Sequence, residues 1–268
     1  MTLAISGLHD TRLGALIRDI GEGNKILRRS AIAMGVGLAA CLMLMTFDHR
    51  LFNGVDVWDK PAKFFLSLIV HMATVSWALM RIPEGARQTK GINRAIWVMT
   101  VCAWGELLYI LYRASRGEAS HFNGSSTFAS VAYTLMGYGA LSITVSTAFV
   151  GWRVWQNRSL GLWTEAAGLG LLLGMLLGTL TGIFIGAQTS HWVGGELSDA
   201  HGVGFFGWST TGGDLRVAHF MGFHAAQIIP FAALSSSRAI VYGMALLCIV
   251  VTAGTFALAV FGLPLFAV

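Results

Sequence analysis

The chain has 268 residues, 55% of them hydrophobic and 12% charged, with a formal net charge of +5 and a mean hydropathy of +0.66. A soluble domain carries about 25% charged residues, so an ordinary soluble enzyme is excluded. Apolar runs of about 20 residues point to an all-α integral membrane bundle, and no nucleic-acid-binding signature accompanies the positive charge.

In chain order, residues 1–30 read as a cytoplasmic amphipathic segment. Arg12, Arg18, Lys25, Arg28 and Arg29 precede the first long apolar run. No small-residue cleavage site of a signal peptide stands out, and residues 11–29 suit a helix on the membrane surface. Residues 31–268 read as a single membrane domain of seven helices, at about 31–47, 62–81, 92–113, 128–152, 163–187, 217–234 and 239–264. Cys41, Cys102 and Cys248 all fall within these apolar segments and read as small core residues rather than disulfides.

The Lys and Arg distribution orients the bundle. With the N-terminus in the cytoplasm, the inner segments hold 12 of the 18 basic residues: Arg12, Arg18, Lys25, Arg28, Arg29, Arg81, Arg87, Lys90, Arg94, Arg153, Arg158 and Arg238. The outer segments hold the other 6: Arg50, Lys60, Lys63, Arg113, Arg116 and Arg216. The bias favours N-inside and, with seven spans, a C-terminus outside. The expected location is a bacterial inner membrane. His49, His121, His191, His201 and His219 fall on the outer side, so any chemistry is expected at the periplasmic face.

Helix arithmetic groups the polar residues. Lys60, Lys63, Ser67, His71 and Thr74 share one face of the second span. Cys102, Glu106, Tyr109 and Arg113 form a similar stripe on the third. Arg216, His219, Phe223 and Gln227 form one on the sixth, with His224 on its flank. His71, Glu106 and His224 fall at similar depths, roughly 10–13 Å below the outer helix ends. Ionisable groups at such depth are costly and mark function. His219 and His224 diverge by about 140° around their helix, so a straight helix does not offer both to one metal.

Two loops and one helix add to this. The outer loop at 188–216 holds His191, Trp192, His201, Trp208, Asp214 and Arg216, a length that suits a lid or binding element. Ser209, Thr210 or Asp214 is placed to cap the sixth span. Arg113 and Arg116, three residues apart, are spaced to clamp an anion. The fifth span carries Gly170, Gly174, Gly178, Gly182 and Gly186. This ladder suits close helix packing, a flat ring such as a porphyrin or quinone, or an interface between copies in a homo-oligomer.

The strings KPAKFFLS, RASRGEASHFN and GWSTTGGDLRVAHFMGFHAAQ resemble those of a bacterial family of multi-helix integral membrane proteins. The resemblance covers a minor part of the chain. It implies a recurring membrane architecture and carries no activity with it.

A retinal protein is excluded, because the lysines are Lys25, Lys60, Lys63 and Lys90 and none lies in the seventh span. The leading expectation is a haem- or metal-binding redox protein with its site in the outer half of the bilayer. His71 and His224 would be axial ligands of a b-type haem. Lys60, Lys63, Arg113, Arg116 and Arg216 would neutralise its propionates, with His219 and Gln227 along the same stripe. Glu106, Tyr109 and His121 would tune it or deliver protons, and a quinone or an electron-transfer partner would exchange electrons with it. A single transition-metal ion held by two histidines and Glu106 is the variant. A second class is a transporter or channel for a small anion or proton. A third is a membrane enzyme acting on a lipid or amphiphile, with the basic rim holding the head group and Glu106 or His121 as general base. A fourth is a structural subunit docked through the glycine ladder.

Overall fold

The computed structural model describes residues 12–188 and 190–267, and residues 1–11 of the expected N-terminal segment lie outside them. Nine α-helices are present among the described residues: α1 (Arg12–Gly23), α2 (Lys25–Leu44), α3 (Asp59–Leu79), α4 (Glu84–Arg87), α5 (Lys90–Ser115), α6 (Thr127–Gln156), α7 (Leu162–Ala187), α8 (Leu215–Ala232) and α9 (Arg238–Val260). Seven of them, all but α1 and α4, are long and apolar enough to cross a membrane. The fold is that of a multi-pass membrane protein.

The first span starts earlier than hydropathy suggests. Asn24 is extended, and its side chain accepts from the backbone of Ile26 and Leu27 at 2.9 and 3.2 Å. That cap ends α1 and starts α2. Lys25, Arg28 and Arg29 thus belong to the end of a span, where long basic side chains extend toward water. The expected surface helix stops at Gly23 and is tied to α3. Ser76 Oγ donates to the Ile20 carbonyl at 2.6 Å, and Asp19 pairs with Arg81. Gly23 lies so close to Ser76 that any Cβ there would overlap its carbonyl oxygen.

The spans pack largely in sequence order: α2 on α3, α5 on α6, α6 on α7, α7 on α8 and α8 on α9, with α3 also touching α1, α5 and α6. One core joins Met34, Phe65, Met72, Leu79, Ile96, Met99, Leu107 and Leu171. A second, built largely of alanines, joins α7, α8 and α9 through Ala166, Ala225, Ile229, Val241, Ala245 and Cys248. Small residues let backbones approach, which is how helices associate where lipid supplies no hydrophobic drive.

Two features of α7 position the site. First, its glycine ladder is covered by α8 of the same chain. Gly170 and Gly174 face the Ala225–Ala226 backbone, Gly178 the Phe223 ring and Gly182 the His219 ring; only Gly186 meets open space. Second, α6 and α7 touch at one end and part at the other. Gly151 abuts Leu171, and Gly168 abuts the Trp155 backbone, whereas Gly137 and Gly186 near the opposite ends have nothing within 4 Å among the described residues.

The parted ends lie beneath three connections, 45–58, 116–126 and 188–214, here called the long-loop face. In the first, strands β1 (Leu51–Phe52) and β2 (Val55–Asp56) pair about an Asn53–Gly54 turn. Both turn residues have positive φ, 51° and 82°, as a primed hairpin turn requires. In the third, β3 (Trp192–Val193) pairs with β4 (Gly213–Asp214). The third connection also docks on the hairpin, where Asp199 N and Ser198 Oγ both donate to the Asn53 carbonyl.

Candidate functional site

Asp214 is the residue that caps α8, accepting from Arg216 N at 3.0 Å. Its other oxygen accepts from Ser209 N, and both oxygens accept from the Arg216 guanidinium. That guanidinium also reaches Asp199 at 2.7 Å and the Gly207 carbonyl at 2.8 Å. Arg216 thus locks the 188–214 connection onto the start of α8.

Beneath this clamp lies a cavity of about 530 Å³, within the range typical of small-ligand sites. Its polar end holds Asp59, Lys60, Lys63, Glu106, His121, His191, Asp199, Arg216 and His219. The rest of its wall is mostly apolar: Met136, Ala140, Leu141 and Thr144 on α6 and Gly178, Gly182 and Ile183 on α7, with Phe223, while Glu106 beside Gly139 and His219 beside Gly182 bring polar groups into this stretch. Leu141 and Ile183 are 41% and 60% exposed on the surface that faces lipid. Both residues line the cavity where α6 and α7 part.

The cations of this face are not equivalent. Arg50 pairs with Asp48, Lys63 with Asp59 at 2.5 Å, Arg113 and Arg116 with Glu118, and Arg216 with Asp199 and Asp214. Among the described residues Lys60 alone of the six has no acidic partner. Its ammonium donates to His121 Nδ1 at 3.2 Å. Ser120 Oγ also lies 3.0 Å from that nitrogen. Because a lysine only donates, Nδ1 accepts and the ring is the neutral Nε2–H tautomer. Burial, with Lys60, His191 and His219 nearby, holds His121 well below the usual histidine range. Burial likewise lowers His191. Burial pushes the Asp199 carboxyl up, but His191 and Arg216 outweigh it and leave it below its ordinary value.

Glu106 is 7% exposed, and its Oε1, facing Gly139, is buried without a hydrogen-bond partner among the described residues. An uncompensated buried carboxyl oxygen is rare, and it lies in a residue lining the cavity. His219 Nδ1 lies 3.3 Å from Thr181 Oγ1, with its ring edge-on to Phe223.

Of the twelve residues given a role at the expected site, the cavity gathers Lys60, Lys63, Glu106, His121, Arg216 and His219, and it also takes in His191 of the long outer loop. The other six lie elsewhere. The Tyr109 ring faces Phe128, and its hydroxyl is buried without a hydrogen-bond partner among the described residues. Arg113 is buried at 5% exposure and holds the Ala119 carbonyl and Glu118. Arg116 is exposed and shares Glu118. Gln227 donates to Thr74 Oγ1, tying α8 to α3. His71 Nε2 bonds Thr147 Oγ1 at 2.9 Å across the α3–α6 contact. His224 Nδ1 donates to the Phe220 carbonyl, and its ring stacks on Phe220, beside Phe206 and Trp208. The two histidines thus have different neighbours, and neither lines the cavity. Among the described residues no three His, Cys, Asp or Glu side chains are grouped to hold a metal ion.

His191, Asp199 and Phe206 belong to the cavity although no helical period marks them, since they sit in the long connection. The apolar stripe of α6 was also hidden, because its residues match those that face lipid.

A second, smaller cavity of about 220 Å³ adjoins the first on the long-loop face. Phe52, Asn53, Lys60, His121, Phe122 and His191 line both, so the Lys60–His121 bond stands in the wall between them. No known family, curated protein or solved structure matches the chain, so the geometry of this site carries the functional reading.

Proposed function

We propose that this protein binds a singly charged anionic amphiphile, taking it sideways from the outer leaflet of a bacterial inner membrane. The Lys and Arg bias favours the orientation that puts the long-loop face outside. The polar end of the ligand rests on Lys60 and His121, close to Glu106, and its apolar chain lies between α6 and α7. The observation that carries this reading is that Lys60 is left without an acid while five neighbouring cations are paired. A cation without an ion pair, in a cavity whose other basic side chains are paired, suits one acidic group on the ligand, set beside the unpaired Glu106. A transport path has less support. Beyond Thr144 and Phe223 the helices close on Met99, Leu171 and Met175.

Palmitate binding to the detergent-purified protein, followed by native mass spectrometry, tests this. A charge-assisted hydrogen bond contributes about 1.5–3 kcal/mol. Lys60→Gln is therefore expected to weaken binding roughly ten- to a hundredfold. Arg116→Gln, at an exposed residue that lines neither cavity, is expected to change it little. Equal affinity of wild type and Lys60→Gln would overturn the reading.

A further inference from the structure

The smaller cavity has a different chemistry from the larger one. Three aromatic residues, Phe52, Phe122 and Trp192, line it together with the polar residues Asn53, Ser120 and Ser190. Its one acid, Glu118, is held by Arg113 and Arg116. Among the described residues Lys60 is the one charged group of this smaller lining without an ion pair. Among the described residues Trp192 Nε1 is buried without a hydrogen-bond partner, and His191 Nε2 has Asp199 no nearer than 3.9 Å. Aromatic faces take the C–H surface of a sugar or polyol, while hydroxyl, amide and imidazole groups take its hydroxyls. The space suits a group between glycerol and a monosaccharide in size, since about seven waters would fill it.

Set end to end, the two cavities describe one molecule. The lipid-facing cavity takes a chain, the wall at Lys60 and His121 takes one negative charge, and the smaller cavity takes a hydroxylated group. We infer that the ligand is an anionic lipid in which a phosphodiester joins an acyl or prenyl chain to a polyol or sugar head, with that head seated in the smaller cavity. This rests on the amphiphile reading and deepens it by naming the ligand class. No covalent step is part of it. The head reaches its seat past the Lys60–His121 bond, and the phosphodiester replaces His121 as the acceptor for Lys60.

The probes are 1-palmitoyl-lysophosphatidylglycerol, 1-palmitoyl-lysophosphatidylcholine and palmitate, each titrated against the detergent-purified full chain by native mass spectrometry. Lysophosphatidylglycerol is expected to bind at least tenfold more tightly than the other two. One or two extra hydrogen bonds supply that factor. Ser190→Trp and, independently, Ala119→Trp fill the smaller cavity. Each is expected to bring lysophosphatidylglycerol down to the affinity of palmitate while palmitate binding is unchanged, which also shows that the variants fold. If palmitate binds and lysophosphatidylglycerol binds no better, the head-group inference fails and the amphiphile reading stands. A preference for lysophosphatidylglycerol that survives both tryptophan variants likewise overturns the inference. Binding of none of the three probes removes both.

Discussion

Arg216 and Lys60 both look like anion-binding residues when the chain is read as text, and the fold gives them opposite duties. Arg216 holds Asp214, Asp199 and the Gly207 carbonyl together. Arg216→Ala would leave the Asp214 carboxyl, 2% exposed, without its counter-charge. Breaking such a pair costs on the order of 3 kcal/mol, the low end of the usual range because the guanidinium itself is partly exposed. Thermal unfolding of the variant is expected to show that loss whether or not ligand is present. His121 gives a pH signature of known sign. Its folded value lies below the histidine norm of about 6.5, so below that pH the unfolded chain binds a proton that the folded chain refuses. The stabilisation is complete above about pH 6.5 and declines as pH falls toward the lowered value. Buried His191 acts in the same direction. The apparent Tm is expected to drop between about pH 7.5 and 5.5, and the drop to shrink in His121→Asn; an unaltered drop would rule His121 out as its source. At this scale helix arithmetic was informative for Lys60, Lys63 and Glu106. It could not tell a free cation from a paired one. Asp59 and Glu118, which neutralise Lys63 and the Arg113–Arg116 pair, are near in sequence, but only the folded loops decide which acid each cation meets.

The glycine ladder of α7 is the element with the sharpest consequence. At Gly174 a Cβ would come within 2.8 Å of the Ala226 backbone nitrogen, whereas at Gly186 it would meet nothing. Overpacking costs about 1–3 kcal/mol where side chains can shift, and backbone cannot. Gly174→Leu is therefore expected to lower thermal stability sharply and Gly186→Leu to leave it near wild type, a contrast that detergent-based thermal scans resolve. The helices themselves were legible, because hydropathy alone locates spans this apolar. The first is the exception: its start is set by the Asn24 side chain, a local hydrogen bond that no hydropathy average registers. The parting of α6 from α7 was not legible either. Leucine, methionine and alanine on the open half of α6 satisfy lipid and cavity equally well.

For the whole molecule, the face that carries six basic residues is close to neutral once Asp48, Asp59, Glu118, Asp199 and Asp214 are paired with them. Topology follows the count of basic residues, and the larger number on the opposite face favours keeping that face in the cytoplasm. Ser198→Cys in the long connection is expected to react with a membrane-impermeant maleimide added to intact cells, and Gln88→Cys at the other face only after lysis. The reverse pattern would invert the orientation. The three native cysteines are poor competitors, being buried or half-buried within spans. The shape of the bundle has a mechanical corollary. Two helices that touch in one leaflet and part in the other form a wedge, and the acyl chains around it press on the open side. Lateral pressure in that leaflet works against an empty wedge and favours a filled one. Occupancy is thereby linked to how tightly the surrounding leaflet is packed, so the protein would load most readily where that leaflet is crowded and release its cargo where it is stretched or depleted.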